Sequence, residues 1–160
     1  MPRPLKTAWL SLGSNLGNPR EQLSEACRRL QASGVQISKS SSMLESKPWG
    51  KTDQPDFVNQ VLKVETSLGP FELLNLIHEI EDAMGRVRTE LWGPRLIDVD
   101  ILFYEETIMD TPQLTLPHPY VHLRRFCLDL LCELEPELVH PVLKQTMKEI
   151  NEALKQKEES

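Results

Sequence analysis

Apolar residues along the chain alternate between a two-residue and a three-to-four-residue spacing, and each change of spacing marks an element. Thr7 to Leu12 is a short β-capable run that Gly13 should stop. Gly13-Ser14-Asn15-Leu16-Gly17-Asn18-Pro19 then reads as a turn, with Asn18 as a helix N-cap, Pro19 at the first helical position and Glu21 closing a capping box. Leu23, Ala26, Cys27 and Leu30 form the stripe of a first helix, which Gly34 ends. Val35 to Leu44 is a β-type segment whose polar half suits an edge, and residues 46–56 read as a loop.

Phe57 to Thr66 alternates as a strand, and Gly69-Pro70 opens a second helix with Leu73, Leu74, Ile77, Ile80 and Met84 on its buried face. Gly85 is a natural stop, and residues 86–95 form a second polar loop. Leu96 to Phe103 is the most strand-like run in the chain. Beyond it, 114–119 is irregular, 124–133 is helical, and 146–157 is a terminal amphipathic helix with a charged tail expected to fray. The order β-α-β-β-α-β followed by helices is a split βαβ pattern, an α+β sandwich with a mostly antiparallel sheet and helices on one face. We expect one domain over 1–160, with its core at about 6–145 and the C-terminal helix at 146–157.

Composition narrows the class of protein. A length of 160 residues, 39% hydrophobic and 26% charged, fits one folded domain with a single core. A formal charge of -6 argues against sequence-independent nucleic-acid binding. No apolar run is long enough to span a bilayer, and the first residues lack a signal-peptide pattern, so a cytoplasmic protein is expected. Cys27, Cys127 and Cys132 have no metal-type spacing and lie among apolar residues, as reduced core thiols do.

The chemistry concentrates in Leu96-Ile97-Asp98-Val99-Asp100-Ile101-Leu102. Side chains alternate along a strand, so Asp98 and Asp100 share one face, about 7 Å apart, while Ile97, Val99 and Ile101 pack on the other. Two like charges that close repel, and a hard divalent cation resolves the conflict; Mg²⁺ takes one or two carboxylates and completes its shell with water and phosphate oxygens. Arg86, Arg88, Trp92 and Arg95 occupy the loop entering that strand. Guanidinium forks match phosphate oxygens, and a tryptophan can cover a planar ligand. Together they suggest a polyphosphate clamp.

Other motifs are weaker. Gly13 to Gly17 lacks the Lys-Ser/Thr of a P-loop and reads as a structural turn. His118 and His122 are four apart, but Pro117 and Pro119 oppose a helix presenting both to zinc. Asn59 could match the polar edge of a heterocycle, since an amide both donates and accepts.

Taken together, several segments resemble the 6-hydroxymethyl-7,8-dihydropterin pyrophosphokinase family of folate biosynthesis. They are Leu12 to Gly17, Asp53-Gln54-Pro55-Asp56-Phe57-Val58-Asn59, Gly85-Arg86-Val87-Arg88 and, above all, Trp92-Gly93-Pro94-Arg95-Leu96-Ile97-Asp98-Val99-Asp100-Ile101-Leu102. Leu116-Pro117-His118-Pro119 and Arg124-Arg125-Phe126 continue the match. The resemblance implies a ferredoxin-like fold and transfer of diphosphate from ATP to the pterin hydroxymethyl oxygen, releasing AMP.

It also implies two Mg²⁺ ions on Asp98 and Asp100, and a catalytic loop arginine at Arg86. An ATP site is implied at Glu81, Arg88, Trp92, Arg95, Ile101, Thr115, His118 and Arg124. The implied pterin pocket comprises Ser46, Pro48, Trp49, Phe57, Asn59, Trp92 and Phe126. A monomer acting on these small molecules, with neither nucleic acid nor membrane as partner, is the accompanying expectation. Gln113 and Lys47 depart from the family pattern, Gln113 where some members carry a phosphate-reaching arginine.

Overall fold

A computed structural model describes residues 3–47, 53–85 and 96–159. Strand β1 (Lys6–Ser14) leads into helix α1 (Pro19–Ala32), whose N-terminus is capped as the sequence suggests. Asn18 Oδ1 accepts from the Glu21 N–H at 3.4 Å, and Pro19 begins the helix. Next come β2 (Gln36–Ser40), β3 (Leu44–Ser46) and β4 (Phe57–Thr66). Helix α2 (Pro70–Ala83) opens at Gly69, whose N–H donates to Glu72 Oε1 at 2.8 Å. Strands β5 (Asp98–Tyr104), β6 (Met109–Asp110) and β7 (Thr115–Leu116) precede α3 (Arg125–Leu134) and α4 (Met147–Glu159).

The main sheet runs β2-β4-β1-β5, and every pairing in it is antiparallel. β2 and β3 share one edge of β4, so the expected single segment from Val35 to Leu44 is two short strands. The break falls at Ser41, whose hydroxyl accepts from the Val61 N–H at 2.8 Å in place of a ladder partner.

One expectation fails outright: the helices cover both faces of the sheet. Ala8, Leu10 and Leu12 of β1, with Leu62, Val64, Val99 and Ile101, bury beneath Leu23, Leu30, Leu73 and Ile77 of α1 and α2. Trp9, Val61, Leu102 and Phe103 bury on the opposite face against Cys127, Leu128, Leu131, Met147 and Ile150 of α3 and α4. Strands apolar on both faces need a helix layer on each side, because either face left bare would leave large side chains in water.

Two local expectations also shift. β1 does not end at Gly13 but runs to Ser14, because Gly13 has a ladder partner on each side, Asn59 in β4 and Asp98 in β5. The terminal helix continues to Glu159, and Arg125 of α3 ties down Glu158 in its last turn.

Candidate active site

The ladder register builds the site. Across the face that looks toward α3, one row reads Leu44, Asn59, Gly13, Asp98, and the next reads Val61, Ser11, Asp100. Neighbouring strands lie about 4.8 Å apart, so Asn59 and Asp98 are separated by the width of one glycine, about 10 Å between backbones. Asp98 and Asp100 do share this face, half-buried, while Ile97, Val99 and Ile101 lie in the α1–α2 core. The two-residue period of the sequence is the reason, and it holds here without distortion.

β5 is an edge strand, so its outer backbone groups need partners. Glu81, buried on α2, provides one by accepting from the Val99 N–H at 2.9 Å, midway between the two acids. The resemblance assigned Glu81 to nucleotide binding; here its carboxylate grips the strand that carries Asp98 and Asp100. Ile101 contributes backbone only on this side, since its side chain packs in the opposite core.

Past β5, the His118 N–H donates to the Leu102 carbonyl at 2.9 Å, docking the loop that carries His118 beside the acids. His118 Nε2 lies 4.0 Å from Asp100 Oδ2, and Arg124 Nη1 stands at the same distance from that oxygen. Burial, reinforced by the Arg124 guanidinium and opposed by Asp98, pushes His118 down to about 4, so the ring is neutral at pH 7. His118 Nδ1 accepts from the Tyr120 N–H at 3.1 Å, which leaves the ring proton on Nε2, facing Asp100. Arg124 lies over the Tyr120 ring, 5.6 Å from its centroid. Thr115 sits in β7, its hydroxyl donating to Asp110 Oδ1 at 3.4 Å.

At the β4 end the side chains change character. Asn59, 4% exposed, donates through Nδ2 to the Leu44 carbonyl at 3.1 Å and to Ser46 Oγ at 2.7 Å. Both amide protons are thereby engaged, so Asn59 presents an acceptor, Oδ1, rather than the donor-acceptor pair its sequence position suggested. Phe57 lies on the same face two residues earlier, and Phe126 of α3 packs at the margin of the α3–α4 core.

Asn15, which the sequence reading passed over as part of a turn, is buried. Its Nδ2 donates to Gln54 Oε1 and to the Pro55 carbonyl, both at 2.9 Å, pinning the segment that leads into Phe57. An Asn in a Gly-rich turn gives no sign of such a tertiary clamp.

Pro48, Trp49, Arg86, Arg88, Trp92 and Arg95 lie outside the described residues. Gln113 and Lys47 are exposed. Cys127 is fully buried, and burial pushes its thiol up to about 11, so it is inert as a nucleophile at neutral pH. Among the described residues no helix is long and apolar enough to cross a membrane.

Comparison with known proteins identifies the family. A sequence model of the 7,8-dihydro-6-hydroxymethylpterin-pyrophosphokinase (HPPK) family matches residues 9–136. A 2-amino-4-hydroxy-6-hydroxymethyldihydropteridine pyrophosphokinase of Haemophilus influenzae is 45% identical over 136 residues, covering 84% of this chain and 85% of the relative. The folic acid synthesis protein fol1 of Schizosaccharomyces pombe is 41% identical over 145 residues, 90% of this chain but 20% of that much longer protein. In structure, the crystallised HPPK-DHPS of Plasmodium falciparum with pteroate superposes with a TM-score of 0.73 at 19% identity, covering 93% of this chain and 42% of that one, a likeness of fold. With the family's sequence model spanning most of its length and a relative 45% identical over 84% of it, the chain belongs to the HPPK family.

Proposed function

We propose that this chain transfers diphosphate from ATP to the hydroxymethyl oxygen of 6-hydroxymethyl-7,8-dihydropterin in folate biosynthesis, releasing AMP. Family membership and the relatives' names carry the reaction class. The observation that carries the site is the row Asn59, Gly13, Asp98, which sets a heterocycle acceptor and a carboxylate pair side by side on one sheet face. The strand order β2-β4-β1-β5, with α1 and α2 as the two crossovers, supports the ferredoxin-like split βαβ assignment.

In the transfer, the hydroxymethyl oxygen bonds to the β-phosphorus as the α–β bridging bond breaks. The bridging electrons leave with AMP, and the hydroxyl proton passes to solvent or phosphate. Positioning and charge neutralisation dominate such a step. Phe57 and Phe126 offer apolar surface to a flat pterin, and Asn59 Oδ1 takes a ring N–H or amino proton. Arg124 supplies fixed positive charge at the acid end, and neutral His118 offers its Nε2 proton to a phosphate oxygen.

Asp98 and Asp100 are partly solvated, and among the described residues no third acid, histidine or cysteine completes a cage around them. That open donor set suits Mg²⁺, which keeps water and phosphate oxygens in its shell, and these two acids would hold two such ions. Bound there, Mg²⁺ would neutralise the phosphate charge that grows as the bond breaks. Arg86 and Arg95, with Arg88 and Trp92, complete the proposed phosphate side, with Ile101 and Thr115 bordering the nucleotide. Ser46, Pro48 and Trp49 would border the pterin. The enzyme would act as a cytoplasmic monomer.

The test is direct. Incubated with ATP, Mg²⁺ and the pterin alcohol, the protein should yield AMP and the pterin diphosphate in equal amounts. Release of pyrophosphate from ATP would instead identify a nucleotidyl transferase.

A further inference from the structure

We propose that Gly13 is a specificity-determining residue of the acceptor pocket, because its missing side chain keeps Asn59 Oδ1 open to the heterocycle. The inference takes the acceptor's identity from the pyrophosphokinase reading; the steric argument is independent of it.

Gly13 needs an explanation that its backbone does not provide. It is not in the left-handed region, unlike Gly17, Gly34 and Gly85, and it is paired on both sides inside a strand. Glycine in such a position weakens a strand relative to alanine by about 0.5–1 kcal/mol, and its usual justification is close approach of another group.

Here the approach is specific. A Cβ on Gly13 would stand 3.3 Å from Asn59 Oδ1 and 3.5 Å from Phe57 Cδ1. Asn59 is poorly placed to retreat, because Nδ2 is held by both the Leu44 carbonyl and Ser46 Oγ. Phe57 would touch the same methyl at ordinary van der Waals distance, so the tight contact falls on Asn59 Oδ1 alone. A single methyl group would therefore crowd the one acceptor that Asn59 has left to offer, or twist the amide off its two anchors. Asp98 flanks Gly13 on the other side, so the bare glycine is also the floor between the pocket and the acids.

The experiment compares wild type with Gly13→Ala for AMP formation, KM for each substrate and ATP affinity by calorimetry in Mg²⁺. We expect the pterin KM to rise at least tenfold, ATP affinity to stay within twofold, and a cooperative thermal transition to be retained. Gly13→Ser should behave at least as severely toward the pterin. An active wild type paired with a G13A protein whose pterin KM changes less than twofold overturns the inference alone. So does a G13A chain that loses ATP binding together with its thermal transition, since the glycine would then serve folding. A wild type that forms no AMP removes the pyrophosphokinase reading, and the acceptor assignment with it.

Discussion

The two faces of the sheet are built on opposite rules. Under α1 and α2, Ala8, Leu10 and Leu12 of β1 pack against Val58, Leu62 and Val64 of β4, with Gln60 the one polar side chain among them, and Val99 and Ile101 extend the packing to the edge strand. On the α3–α4 face the apolar packing centres on Trp9, Val61, Leu102 and Phe103. From the row of Val61 onward, the β1 and β5 positions turn to Ser11 and Asp100 and then, with Asn59 of β4, to Gly13 and Asp98. One layer supplies stability along its whole length, while the other gives up half of its packing to polar groups. The site thus rests on the packing of the face it does not use.

The sharpest way to break this comparison is to remove an acid. Asp98→Ala or Asp100→Ala should lower AMP formation by about two to three orders of magnitude, the scale of losing a charge-stabilising group in a reacting centre. The fold should survive in both variants, because the relief of carboxylate repulsion offsets part of what is lost where Asp100 faces Arg124 and His118. Unchanged activity in either variant would sink the assignment of the pair.

On the opposite face the signs reverse. Leu62→Ala removes a fully buried side chain and should cost about 2–5 kcal/mol in urea unfolding, with turnover per folded molecule nearly intact. A stable but inactive Leu62→Ala would show that the two faces are not separable.

The smallest effect concerns pH. His140 Nδ1 accepts from the Val142 and Leu143 N–H groups at 3.2 and 3.1 Å, and burial, helped by His122, pushes it down to about 4. The unfolded chain takes up that proton near 6.5, so the unfolded state binds more protons between these values. Stability should be complete above about pH 6.5 and decline as the pH falls toward 4, by on the order of 1 kcal/mol once partial solvation is allowed for. His140→Asn, whose amide oxygen can replace Nδ1, should flatten part of that decline in urea midpoints compared at pH 7.5 and 5. An identical slope in wild type and variant would place the titration elsewhere.

What the sequence revealed follows the same division. Asp98 and Asp100 were legible because a strand's period is fixed by covalent geometry, and the apolar residues between them left one solution. Asn18 and Gly69-Pro70 were legible because caps act within a few residues. Gly13 was misread as a stop because a local reading cannot see strands pairing on both sides. The second helix layer was missed because which face α3 and α4 cover depends on long connections and on the whole sheet. Glu81 and Asn15 act through tertiary hydrogen bonds, to Val99 and to Gln54 and Pro55, that no spacing encodes.

β5 carries one residue more than its partner requires. Trp9 faces Phe103 and Leu10 faces Ile101, so Leu102 stands in a bulge with no opposite number on β1. Excising Leu102 would leave Asp98 and Asp100 on one side of the break, and Phe103 and Tyr104 on the other, all on their present faces. What would vanish is the carbonyl that receives the His118 N–H, together with one buried side chain of the α3–α4 core. Chain length at this point is therefore a functional variable in its own right: a one-residue deletion that leaves every other β5 side chain on its face would cast off the loop that berths His118 beside Asp100.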